Sequence, residues 1–548
     1  MAWESDKDGY RSHGSWGAEG DIYIMFFDAK AMTEFFRDKE GTEIAKMLAG
    51  DEKKDDKKDE KKDSVKKVEK IKLDLEGRED RIFRLTRNSG RIGTHFLTED
   101  GKKLLYIVRL ESGYDLCSMD LEDKSVRVLK KGVYGFVPSP DGKNIYISTG
   151  GGISKMSVNG GESKSISYAG EYEYKPKAER EYIFDHMWKQ VKEKFYDPDL
   201  HGVDWDYYRE NYRKFLPYIN NDFDFAELLS EILGELNASH TGGRYRYSSG
   251  LSFGTLGVLY DSEYDGDGLK IKEVLPDGAL SIADSEIKAG DIITSIEGKK
   301  IEAGKDWYQL LTGKAGKKIA ITVKKGGKKE TELFVTPGYS DNALLYRRWV
   351  KMREAKVKEL SGGKIGYVHV QGMDSPSFRE VYSKALGKYR TADALIVDTR
   401  HNGGGWLHDD LVTFLGGKDY VNYQPRGRFI GKDPYSKWSK PSCVLVCEDN
   451  YSDACGFPYA YKALGIGKLI GAPVAGTMTA VWWEYQINSS IVFGIPQVGS
   501  WCIDEGHYSE NHQIEPDILV YNDPASVLRG EDRQLEAAVR EMLAETKK

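Results

Sequence analysis

The chain has 548 residues, 40% of them hydrophobic and 30% charged, with a formal net charge of −7. This length is beyond what a single core fills, so three or more domains are expected in an otherwise ordinary globular composition. The well-mixed charge argues against a nucleic-acid partner, and no apolar run approaches the roughly 20 residues needed to span a bilayer.

Met1-Ala2-Trp3-Glu4-Ser5-Asp6 is polar and lacks the apolar centre of a signal peptide. Residues 1–50 read as the end of a preceding region rather than a beginning. Residues 51–71 are a run of Lys, Asp and Glu, expected to be a flexible linker. From 72 to 175 the pattern becomes short strands and turns. Thr98-Glu99-Asp100-Gly101-Lys102 and Ser139-Pro140-Asp141-Gly142-Lys143 look alike, each with an Asp-Gly turn leading into an alternating strand. Their spacing of about 40 residues is the period of a β-propeller blade, although two blades cannot close a ring.

Residues 176–249 read as helical. Tyr182, Ile183, Met187, Val191 and Phe195 recur every three or four positions, and a second stripe runs from Phe223 to Leu236. A polar turn, Asn237-Ala238-Ser239-His240-Thr241-Gly242-Gly243, follows the second helix. In the all-β stretch 250–340, the run Ala289-Gly290-Asp291-Ile292-Ile293 and the hairpin Glu297-Gly298 resemble a PDZ domain. That resemblance implies binding of an extended peptide as an added strand. The carboxylate-binding loop of that family is only partly present, as Phe253-Gly254-Thr255-Leu256-Gly257.

Residues 341–548 alternate strand and helix. Near-continuous apolar strands are predicted at 366–370, 394–398 and 444–447, with helices at about 405–415 and 456–465, which makes a mainly parallel α/β domain. Three loops of this domain carry chemistry. Asp398-Thr399-Arg400-His401-Asn402-Gly403-Gly404-Gly405 leaves a strand for a helix, a place where backbone amides converge on an anion. No Gly-Lys-Ser/Thr follows, as a phosphate loop would require. In Asp449-Asn450-Tyr451-Ser452-Asp453-Ala454-Cys455, Ser452 sits at a helix start, where a lone serine is usually an N-cap. The third loop is Glu510-Asn511-His512-Gln513-Ile514-Glu515.

Together these motifs resemble the tricorn core peptidases, relatives of the tail-specific proteases. Ser452-Asp453-Ala454-Cys455-Gly456-Phe457 resembles their nucleophile motif, Arg400-His401-Asn402-Gly403-Gly404-Gly405 their glycine loop, and Ser239-His240 their Ser-His pair. The order of regions agrees as well: a remnant of propeller blades, a small helical domain, a PDZ-like domain and an α/β domain. The resemblance implies a serine peptidase with Ser452 as nucleophile and His240 as general base. Ser239 and Glu510 would complete the relay, and the oxyanion hole would take the Asp453 amide and that of Gly403 or Gly404. It implies peptide substrates and a homo-oligomer, usually a hexamer, with no cofactor, metal, nucleic acid or membrane. Ala454 stands where the family commonly has glycine. The family's acidic specificity residue has no clear counterpart, because 419–428 carries Asp419 beside Arg426 and Arg428.

Two alternatives remain at this point: Cys455 as nucleophile, and a non-catalytic peptide-binding scaffold. His401 and His408 with Asp409 and Asp410 match no standard metal-ligand spacing and read as solvated or capping residues. The cysteines at 117, 443, 447, 455 and 502 are odd in number and form no CxxC pair. They argue against a disulfide scaffold or zinc ribbon and for a reducing compartment, the cytoplasm.

Overall fold

The computed structural model describes residues 1–547 except 12–17, 38, 52–72, 111–112, 248–249, 282–285 and 327–328. The expected linker at 51–71 lies, apart from Asp51, outside the described residues. The chain forms two units, Met1–Tyr174 and Lys175–Lys548.

In the first unit, Ala2–Ser5, Asp21–Met25 and Ile82–Arg84 make a three-stranded antiparallel sheet. Two four-stranded antiparallel meanders follow, one from Ile92 to Lys131 and one from Val133 to Ile166. A four-stranded meander is the unit of a propeller blade. The two look-alike turns share their bonding. Thr98 Oγ1 donates to Asp100 Oδ1 at 2.7 Å and accepts from Lys103 N at 3.0 Å; Ser139 Oγ does the same with Asp141 Oδ1 at 2.5 Å and Asn144 N at 3.0 Å. Only the second of the strands that follow alternates, with Ile145 and Ile147 buried around the more exposed Tyr146. In the first, Leu104, Leu105, Tyr106 and Ile107 are all buried. Leu104 and Tyr106 pack with Ile22, Ile24 and Phe26, whereas Leu105 and Ile107 pack with Val133, Phe136 and Ile145. A strand lying between two apolar layers has no reason to alternate.

The second unit starts with α1 (Pro176–Lys194), α2 (Trp205–Arg213) and α3 (Asp222–Gly234). Ile183, Met187, Val191 and Phe195 of the first predicted stripe are buried, and both stripes depart from expectation only at an aromatic near their start. Tyr182 is 56% exposed and Phe184 is buried in its place; Phe223 is exposed and the buried face of α3 begins at Phe225. At 100° per residue, Phe184 falls with Arg180, Met187 and Val191 on one face. After α3, β1 (Gly242–Tyr245) leads to a five-stranded antiparallel run in sequential order: β2 (Val258–Tyr260), β3 (Leu269–Val274), β4 (Ile292–Ile296), β5 (Ile319–Lys325) and β6 (Lys329–Val335). The buried Asp291 before β4 accepts from the amides of Lys288 and Gly326 and so fixes the predicted turn. In the partial carboxylate loop, the Gly254 and Thr255 amides donate to Leu311 O and Gly338 O. Those two donors are therefore engaged within the domain.

The α/β part comprises α4 (Asn342–Ser361), β7 (Ile365–His369), α5 (Ser375–Ser383), β8 (Ala394–Asp398), α6 (His408–Leu415), β9 (Ser442–Val446), α7 (Asp453–Ala463), β10 (Lys468–Gly471), β11 (Ala480–Tyr485), β12 (Ile491–Val498), β13 (Ile518–Leu519) and α8 (Arg533–Glu545). Strands β7-β8-β9-β10-β13, in that order, form one parallel sheet. Successive residues feed opposite faces. Leu395 and Val397 pack with α5, α6 and α7, whereas Ala394 and Ile396 pack with α4 and α8. That two-sided burial explains why β8 reads as an unbroken apolar run.

Strands β11 and β12 lie outside this sheet: β12 pairs with β1, Gly242 opposite Gly494, and β11 pairs with the other edge of β12. Ile491, Phe493 and Ile495 of β12 enter the core of the helical domain. The turn carrying Ser239 and His240 is thereby held against loops of the α/β domain from a distant part of the chain.

Candidate active site

Ser239, His240 and Glu510 form one hydrogen-bonded chain. Ser239 Oγ lies 2.8 Å from His240 Nδ1 and donates to Glu510 Oε2 at 3.0 Å, while Glu510 Oε1 accepts from Ser239 N. Thr479 Oγ1 braces the same junction, 3.0 Å from Ser239 Oγ and 2.9 Å from His240 Nδ1. Glu510 is buried, and burial pushes its carboxyl above the usual range against the pull of two bonds from Ser239. Burial also pushes the His240 imidazole down to about 4, which keeps it neutral near pH 7.

Tyr451 connects this chain to the nucleophile loop. Its hydroxyl accepts from His240 N at 2.7 Å, and its ring lies 4.7 Å from the imidazole, centroid to centroid. Next along the chain, Ser452 occupies the N-cap position of α7 with φ 57° and ψ −125°. Its side chain makes no capping bond, so the usual reading of such a serine fails here. A non-glycine residue at positive φ costs on the order of 1–3 kcal/mol and persists only where its surroundings enforce it. The Ser452 amide donates to Thr477 Oγ1 at 2.9 Å. No hydrogen bond joins Ser452 Oγ to the His240 imidazole among the described residues; the link between the two loops runs through Tyr451.

The glycine loop lies against the serine. A Cβ on Gly404 would stand 2.5 Å from Ser452 Cβ and 2.8 Å from Tyr451 O, and Gly404 has φ +98°. Only glycine fits there. Gly404 N donates to Asn402 Oδ1 at 2.8 Å, and Asn402 is anchored by its Nδ2 on Val370 O at 2.8 Å. Among the described residues no acceptor takes the amides of Gly403 or Asp453. Of the two glycines named from sequence, Gly403 is thus the one with a free donor. The Asp453 carboxylate faces the other way and accepts from Leu407 N, His408 N and His408 Nδ1, tying α7 to α6. Asp453 holds the His408 imidazole above its ordinary value. Cys455 is fully buried and its thiol is pushed up to about 12 by burial, the opposite of an activated nucleophile. Sequence reasoning missed Thr477, Thr479 and Tyr451. Tyr451 adjoins the nucleophile motif, but nothing in the order of residues marks the two threonines.

Three domain models match the chain: the tricorn protease C1 domain at 176–234, the tricorn protease PDZ domain at 254–338, and peptidase family S41 at 364–520. The chain thus carries two domains of tricorn protease type and a region of peptidase family S41. Tricorn protease homolog 1 of Streptomyces coelicolor is 28% identical over 508 residues, 86% of this chain and 47% of that protein. The tricorn protease of Thermoplasma volcanium is 27% identical over 447 residues, 79% of this chain and 43% of the relative. A crystal structure of the tricorn protease has the same fold, with a TM-score of 0.79 over all of this chain and 54% of that one, at 19% identity. The chain spans about half the length of the curated relatives it matches. In this chain the region that matches peptidase family S41 follows the one that matches the tricorn protease PDZ domain.

Proposed function

We propose that the chain is a serine peptidase that hydrolyses peptides or oligopeptides through an acyl-enzyme, with Ser452 as nucleophile and His240 as general base. The observation that carries this reading is the unbroken Glu510–Ser239–His240 chain, whose imidazole packs on Tyr451, the residue before a serine whose hydroxyl caps nothing. His240 Nε2 takes the Ser452 proton as Oγ bonds to the scissile carbonyl carbon. The carbonyl oxygen gains the negative charge and accepts from the amides of Asp453 and Gly403. Imidazolium then returns the proton to the leaving amine, and a water, deprotonated in the same way, releases the acid. Ser239 passes the field of Glu510 to Nδ1 and fixes the tautomer that leaves Nε2 basic.

The tricorn resemblance supports a homo-oligomer, with a hexamer as the specific expectation. Five buried, unpaired thiols support a reducing compartment, the cytoplasm. Among the described residues no helix is long and apolar enough to cross a membrane.

The test is labelling by a fluorophosphonate probe combined with cleavage of a peptide library. Covalent modification at Ser452 together with library cleavage supports the peptidase. A folded protein that binds peptides yet neither reacts nor cleaves would instead be the peptide-binding scaffold.

A further inference from the structure

Outside the relay, a second cluster, of side chains of the metal-ligating types, joins the glycine loop to the loop of Ser452. His401 comes from the glycine loop after β8, and Cys447 and Asp449 from the nucleophile loop after β9. His401 Nδ1 lies 2.9 Å from Asp449 Oδ2, Cys447 Sγ donates to Asp449 Oδ1 at 2.7 Å, and Sγ is 4.0 Å from His401 Nδ1. The three ligand atoms, one each of nitrogen, oxygen and sulfur, all fall within 4.8 Å of one another. Zinc bonds of about 2.3 Å to sulfur and 2.0–2.2 Å to nitrogen and oxygen place tetrahedral ligands roughly 3.3–3.6 Å apart. The cluster reaches that spacing with adjustments of less than about 1 Å. The means to adjust exist, since the side chains of His401 and Asp449 are 60% and 65% exposed.

The remaining contacts suit a metal site. Cys447 is buried, held by its own amide on Asn450 Oδ1 at 3.2 Å, and its sulfur accepts from His401 N at 3.3 Å. The exposed side chains leave a fourth position open to water. Imidazole, thiolate and one carboxylate form a borderline-soft set that favours zinc over magnesium or calcium. His408, considered with His401 in the sequence, turns instead to Asp453.

We propose that His401, Cys447 and Asp449 form a three-ligand zinc site that clamps the glycine loop to the nucleophile loop, and that its occupancy inhibits the enzyme. Binding forms Zn–S, Zn–N and Zn–O bonds and breaks the S–H bond, releasing the thiol proton to solvent. The ion leaves His401 Nε2 carrying the ring's N–H. The bonds tie together through one ion the two loops that carry Gly403 and Ser452, two and three residues from a ligand, and so hold those loops at a fixed separation. The inhibitory half rests on the peptidase reading; the binding half does not.

The metal-free full chain is titrated with Zn2+ against a chromophoric chelator and with Co2+ by absorption, and peptide hydrolysis is followed in parallel. A thiolate-to-cobalt band in the near ultraviolet is expected. His401→Ala and Asp449→Asn, both at exposed positions, should each weaken binding at least about tenfold. Cys447→Ser should abolish the band. Zinc at saturating level should cut kcat at least about tenfold in the parent chain, with His401→Ala insensitive at the same concentration. Affinity unchanged in both exposed variants overturns the site. So does a cobalt band that survives His401→Ala but vanishes in His507→Ala, since that would place the ion on Cys502, Glu505 and His507. Hydrolysis indifferent to occupancy overturns the inhibition. If the metal-free chain hydrolyses nothing, the peptidase reading fails while the cobalt titration still decides the site.

Discussion

At Ser452 a strained backbone coincides with a hydroxyl that makes no capping bond, the combination the proposed nucleophile role requires and a helix cap would not show. Ser452→Ala should lower kcat by about 10⁶ and leave folding intact, and His240→Ala should be nearly as damaging. The double variant should be little worse than either single one, because members of one catalytic unit are not additive. Multiplying losses in steady-state assays would separate the two residues. In the proposed relay Glu510 stands one bond further back, so Glu510→Gln should cost roughly 10- to 10³-fold in kcat, less than the ~10⁴ for a directly bonded acid. The base must be neutral to accept a proton, and burial favours its neutral form. The acid limb of kcat/KM should therefore lie near 4 rather than at the ordinary 6.5 of histidine, with activity lost as pH falls through the lower value. A pH profile with its limb at or above 6.5 would mean that the Glu510 charge outweighs burial.

Among the elements, the pairing of β1 with β12 decides whether His240 reaches the nucleophile loop. Gly494 sits in that pairing, and a Cβ there would stand 2.6 Å from His240 O and 2.8 Å from Trp483 Cζ3. Gly494→Ala must push the His240 backbone away, so kcat should fall by at least about tenfold, in line with the cost of small misplacements. Relief of that loss by trimming Trp483 alone would show that the clash is not with His240. The strand–helix alternation around this pairing was legible because parallel strands buried on both faces are written as apolar runs, β8 above all. The nucleophile motif, glycine loop and Ser-His turn were legible because each is a short contiguous string. What stayed hidden is set by distant pairing. Thr479 meets Ser239 only after β11 and β12 cross to β1, and Leu105 is buried because a second layer covers the strand's other face. Tyr182 misled because an exposed aromatic beside a buried stripe has the same spacing as a member of it.

On the scale of the whole molecule, Ser239, His240, Ser452 and Glu510 all fall within Lys175–Lys548. That unit has its own cores: the helical domain with β12, the PDZ-like sheet, and the two faces of the parallel sheet. Its parallel sheet is further pinned by a buried network in which Arg400 bonds Asp398 and Asp532, both held below the usual carboxylate range. Arg400→Met would strand two buried carboxylates and should destabilise the unit by about 3–5 kcal/mol in denaturant unfolding. The same self-sufficiency governs what happens when Met1–Tyr174 is removed. Residues 175–548 keep every relay bond and every core just named, so the truncated chain should fold cooperatively and react with a fluorophosphonate at Ser452. Its kcat/KM on a small chromogenic substrate should stay within about tenfold of the parent, a change of less than about 1.4 kcal/mol in barrier. Thermal unfolding, labelling and steady-state kinetics on the two chains check this together. A truncated chain that unfolds cooperatively but no longer labels would show that Met1–Tyr174 helps to align Ser452 and His240, and the site would then belong to the whole chain.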